Sequence, residues 1–112
     1  MKNNIFLIFA LFSFGASSEE SWGPKMDLLT AGAAASIVLH YSCGQDEKNA
    51  AKFASRILSD EAQKTPNPQK AYQYALDAYE IKVKALWQSS NGDCNSPSLR
   101  NIVSFTGFLS PQ

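Results

Sequence analysis

NPQKAYQYALDAYEIKVKALWQSS, residues 67–90, is the stretch on which the fold turns. At about 100° per residue, Lys70, Gln73, Asp77, Glu80, Lys84 and Gln88 fall within an arc of about 80°. Asn67 supplies an N-cap, and Pro68 suits the first helical turn, where its missing N–H is not needed. The spacing predicts a long helix with one polar stripe. Tyr72, Tyr74, Leu76, Tyr79, Ile81, Val83, Leu86 and Trp87, with Ala71, Ala75, Ala78 and Ala85, fill most of the remaining sector, about 240° wide. A one-sided surface helix needs about half of that. Lys82 falls near the middle of this apolar sector. Either its stem lies over apolar neighbours while the amine reaches water, or its charge is aimed at a carboxylate on a partner.

The flanking segments have the same character. Upstream, PKMDLLTAGAAASIVLHYSCG starts with Pro24 and stops at Gly44. Asp27 is expected to favour its positive end. This segment is apolar or small in almost every direction, so it is expected to be buried all round, and Gly32 with its alanines lets neighbouring backbones approach. DEKNAAKFASRILSDEAQK places Ala50, Phe53, Ala54, Ile57, Leu58 and Ala62 on one face at helical spacing. TPNP then breaks the chain. Downstream, Ser96 and Pro97 open a fourth helix with a stripe of Leu99, Ile102, Val103, Thr106 and Leu109. Gly107 is expected to end it, with Phe108 folding back. No segment alternates as a strand does. The expectation is an all-α four-helix bundle.

MKNNIFLIFALFSFGASS, residues 1–18, has the charged, apolar and small-residue order of a signal peptide. The apolar run from Ile5 to Phe14 is about half the length of a bilayer span. Residues 1–18 are therefore read as a leader and 19–112 as a single exported domain, periplasmic or secreted, with no membrane association after cleavage. Ten basic and ten acidic residues balance over the chain, which offers no electrostatic argument for nucleic acid or an anionic surface.

The chain holds two cysteines, Cys43 closing the first helix and Cys94 preceding the fourth. An even cysteine count in an exported chain favours an intrachain disulfide. Two alternatives compete. His40 and Cys43, three apart on a helix, could reach one metal with Cys94 and Asp93, but the tight ligand pairs of structural zinc are missing. A Cys43 nucleophile activated by His40 would need a free thiolate and an orienting third group. His40 itself suits a helix C-terminus as a polar tip. The acidic pairs Glu19–Glu20, Asp46–Glu47 and Asp60–Glu61 point about 100° apart if helical, which makes poor carboxylate dyads. The sequence contains no glycine-rich phosphate loop, HExxH, GxSxG or haem CxxCH pattern. No catalytic residue, metal site or cofactor is assigned.

Apolar demand exceeds what four helices can cover. The first helix wants cover on every side and the third on two, while the second and fourth offer one face each. Surplus apolar surface marks an interaction site. Tyr72, Tyr79, Lys82, Val83 and Leu86 are the candidate binding residues of the third helix, although Tyr72 and Tyr79, one heptad apart, suit the core at least as well. Trp22, in EESWGP, either docks on the bundle or acts as a binding hot spot. A homodimer is expected, because two-fold pairing is the commonest way to bury such a face.

In layout the chain resembles small periplasmic helical immunity proteins that neutralise type VI secretion effectors such as peptidoglycan amidases. The resemblance lies in HYSCGQ closing the first helix, NGDCNSP opening the fourth, and two helices between. It implies a non-enzymatic inhibitor of a cell-wall-targeting toxin and assigns no inhibitory residues. Acid-stress periplasmic chaperones share the four-helix, one-disulfide plan, but are richer in charge than this chain, at 18%. A chaperone is the second expectation, and a small enzyme with an unrecognised site the third.

Overall fold

Proline sets the starts of three helices. The computed structural model describes residues 21–111, and in it α1 (Gly23–Ser42), α3 (Pro68–Ser90) and α4 (Pro97–Thr106) each carry proline at one of their first two positions. There the ring presets φ and the lost N–H has no intrahelical partner to miss. Asn67 accepts from Lys70 N–H and Ser96 from Leu99 N–H, as their N-cap positions require. α2 (Glu47–Gln63) opens on Asp46, whose carboxylate accepts from Lys48 N–H at 3.0 Å. The leader expected at 1–18, with Glu19 and Glu20, lies outside the described residues.

Two helices end in the same glycine device. Gly44 and Gly107 adopt φ values of +69° and +77°, a left-handed conformation that glycine enters without a Cβ penalty. After α1, Gly44 N–H donates to Tyr41 carbonyl and Gln45 N–H to His40 carbonyl; after α4, Gly107 N–H donates to Ser104 and Phe108 N–H to Val103. This crossed pair of bonds is a Schellman cap, which turns the chain back on its helix. Phe108 accordingly folds inward and is buried, as its sequence position predicts.

α1 is the axis. It packs against all three other helices, α2 and α3 pack on each other, and α4 lies on α1 with little contact to α3. Lys25 near the start of α1 pairs with Glu61 near the end of α2, so these two run antiparallel. Tyr74 donates to Asp27 at 2.7 Å and Trp87 packs on Tyr41, so α1 and α3 run parallel. The whole is an all-α four-helix bundle with one disulfide, and no strand occurs among the described residues.

Small side chains make room for a central helix. Ala33, Ala34 and Ala35 of α1, Ala50, Ala54 and Ala62 of α2, and Ala71 and Ala75 of α3 are all buried. Met26, Val38, Leu39, Leu58, Leu99 and Val103 fill the volume between them. α1 is buried along most of its circumference, as expected, although Leu28 and Tyr41 remain exposed. Asp27 differs from its expected role: it lies beyond the first turn and serves Tyr74 instead of the helix dipole.

Candidate interaction surface

The helix that decides the fold is buried more narrowly than its composition implies. Its stripe of Lys70, Gln73, Asp77, Glu80, Lys84 and Gln88 is exposed as predicted. Of its apolar residues, however, Ala71 and Ala75 alone are fully buried. Tyr72, Tyr79, Val83 and Leu86 are half-buried and pack against the core of their own chain. Tyr72 also shares a hydrogen bond with Ser55 of α2 at 3.0 Å. Lys82 is half-buried too, and it forms no ion pair among the described residues.

The flanks of α3 hold the apolar side chains that water reaches. Ile81 is 70% exposed, and Leu76, Tyr74 and Trp87 are exposed beside it on either edge of the polar stripe. Phe105 of α4 is exposed further still, at 78%. The sequence places Leu76, Ile81 and Trp87 in the apolar sector of the helix but does not single them or Phe105 out as binding residues, because one period describes a whole helix and says nothing of where a neighbour ends. Trp22 and Trp87 divide the two roles open to tryptophan here. Trp22 docks edge-on to Tyr74, with ring centroids 5.3 Å apart, and packs on the core. Trp87 lies edge-on to the exposed Tyr41 at the same separation and against Gly92, leaving a joined aromatic pair in solvent where α1 and α3 end.

Between α2 and α3 runs a shallow cleft of about 210 Å³, lined by Ala51, Ala54, Ser55, Leu58, Leu76 and Tyr79. Tyr79 also borders a second depression of about 300 Å³ with Glu80, Val83 and Lys84. Burial pushes the Tyr79 phenol above its ordinary range, since a phenolate there would lose solvation. The cleft is open because α2 offers Ala51 and Ala54 where larger side chains would fill the groove.

Cys43 and Cys94 are joined, with Cα atoms 4.7 Å apart, and no free cysteine remains. The bond ties the end of α1 to the loop that leads into α4. His40 is buried, and its Nδ1–H donates to Ser36 carbonyl at 2.8 Å. It is a satisfied interior histidine one turn below the disulfide, not a tip presented to water. Arg100 is the one residue at this end that sequence patterning misses: its guanidinium lies over the disulfide and donates twice to Cys94 carbonyl, at 2.9 and 3.2 Å. A signal was there, since Arg100 is the only charged residue after Asp93. Among the described residues no group of three or more His, Cys, Asp or Glu is placed to hold a metal, and no helix is long and apolar enough to cross a membrane.

Comparison with known protein families, with curated proteins and with solved structures finds no match to the chain.

Proposed function

We propose that this chain is an exported, non-enzymatic helical protein that binds another protein, an inhibitor or immunity protein directed at a cell-wall-targeting toxin, and that it acts as a homodimer. The observation that carries the proposal is α3, which leaves Leu76, Ile81 and Trp87 exposed while its core-facing Tyr79, Val83 and Leu86 are covered only halfway. Aromatic residues, tryptophan above all, are enriched in binding hot spots, and the Tyr41–Trp87 pair offers two in contact. The disulfide is compatible with an oxidising compartment. The toxin class and the periplasmic location rest on the layout resemblance alone.

Capture from the source organism tests the proposal. The mature protein should retain one dominant partner at near-stoichiometric ratio, and Trp87→Ala or Ile81→Glu should release it while helicity and melting stay near wild type. Suppression of aggregation in several unrelated proteins, without a stoichiometric partner, would replace the inhibitor by a chaperone. Capture unchanged by both substitutions would move the interface off α3.

A further inference from the structure

The disulfide is held against a cation. Arg100 Nη2 lies 3.9 Å from Cys43 Sγ and 3.9 Å from Cys94 Sγ, and the same guanidinium grips Cys94 carbonyl through Nη2 and Nε. Both cysteines and Arg100 are half-buried, so water screens this charge only in part and a reductant can still approach. A thiolate formed here is stabilised by the guanidinium, as thiolates are wherever a fixed cation adjoins them.

The two sulfurs are not equivalent. Cys43 occupies the C-cap of α1, where the last carbonyls of the helix present their negative ends. Its Sγ also lies 3.5 Å from Cys94 carbonyl oxygen. Both features disfavour negative charge on Cys43 and suit a neutral thiol that donates to that carbonyl. Cys94 precedes the N-terminus of α4, where the helix dipole has the opposite sign.

We propose that Arg100 makes the Cys43–Cys94 bond a thiol-exchange site, in which a dithiol attacks Cys43 and Cys94 leaves. One thiolate of the dithiol bonds to Cys43 Sγ, the Cys43–Cys94 bond breaks, and its electron pair departs on Cys94 Sγ as a thiolate facing Arg100. The second thiolate of the dithiol then attacks its own sulfur in the mixed disulfide and releases Cys43, which takes a proton. The protein gains two electrons, and the dithiol becomes a cyclic disulfide. In the reverse direction Cys94 is the nucleophile that closes the bond on a mixed disulfide at Cys43. Arg100 acts through Cys94 and is a positioning residue in this scheme. The inference is independent of any partner of α3.

Two measurements on the full oxidised chain test it. Brief reaction with reduced glutathione, acid quenching and peptide mapping should find the glutathione adduct on Cys43; an adduct on Cys94, or shared equally, overturns the assignment without any variant being needed. Equilibration in mixtures of reduced and oxidised dithiothreitol should show Arg100→Gln displaced toward the disulfide by roughly tenfold, about 30 mV for a two-electron couple. Arg100→Lys, which keeps the charge and loses the fork, should stay near wild type. If Arg100 served only to hold the loop, both substitutions would lower the melting temperature alike and neither would move the dithiothreitol equilibrium relative to wild type.

Discussion

Gly32 stands where α1 meets the end of α4, and a β-carbon built on it would lie 2.5 Å from Phe108 Cδ1 and 2.6 Å from Thr106 Cβ. Thr106 Cβ is anchored to its backbone, so relief requires α4 itself to move. Gly32→Ala should gain about 1 kcal/mol of helix propensity and lose about 2–3 kcal/mol to the clash, for a net destabilisation of about 1–2 kcal/mol by denaturant titration. A stabilised variant would mean that α4 gives way easily at this contact. Tyr79 supplies a second test at this scale. Its folded-state pKa lies above the unfolded value of 10.0, so the unfolded chain releases this proton first. The contribution is therefore fully present below pH 10.0 and is lost as pH rises toward the folded value. Tyr79→Phe should melt with a shallower alkaline decline than wild type, and the two should run parallel below that range. Equal slopes throughout would remove Tyr79 from the titration.

α4 is the element with the least support from its own length. It has ten residues, below the length at which isolated helices persist, and it touches α3 little. Three devices hold it: the Ser96 cap at its start, the Gly107 cap at its end, and the Cys43–Cys94 bond just upstream. Beyond its end, Ser36 Oγ of α1 donates to Leu109 carbonyl at 2.8 Å, which ties the departing chain to the axis. The disulfide closes a loop spanning 51 residues of sequence separation. By the chain-entropy estimate, replacing both cysteines by alanine should cost about 4 kcal/mol. For a domain whose total stability is about 5–15 kcal/mol, that is a large share. Urea unfolding of Cys43→Ala/Cys94→Ala measures it, and a loss well below 1 kcal/mol would show that the caps and packing hold α4 without the disulfide.

At the scale of the whole molecule, three helices around a central fourth leave apolar side chains without cover. α1 satisfies its demand because three neighbours share its circumference, whereas α3 packs mainly against α1 and α2 and touches α4 little. Light scattering at micromolar concentration should report twice the mass of one mature chain, and Ile81→Glu should reduce it to one while circular dichroism is unchanged. A single-chain mass at every concentration would reserve the α3 flanks for a different protein. Lys82→Glu separates the two roles open to that lysine: an interface role predicts weaker association at unchanged melting, and a merely solvated amine predicts no change.

The fold was legible because its signals are local. The Asn67 and Ser96 caps, the first-turn prolines at Pro24, Pro68 and Pro97, and the terminal glycines Gly44 and Gly107 act within a few residues and carry their geometry with them. The pairing of Cys43 with Cys94 followed from count and compartment chemistry rather than from any contact. What the sequence by itself could not determine depends on how far each neighbour reaches. The period of α3 predicts which residues share a face, yet Tyr72, Tyr79, Val83 and Leu86 are covered only halfway, and that was decided by where α1 and α2 lie. Trp22 and Trp87 are chemically the same side chain; packing against Tyr74 and the core half-buries one, while the ends of α1 and α3 leave the other exposed. Arg100 meets the disulfide one turn into α4, a contact made across the loop from Cys94 that no single-helix pattern contains. Periodicity fixes direction around one helix, and burial is a sum over the others, so the surface of this protein was decided by its tertiary structure.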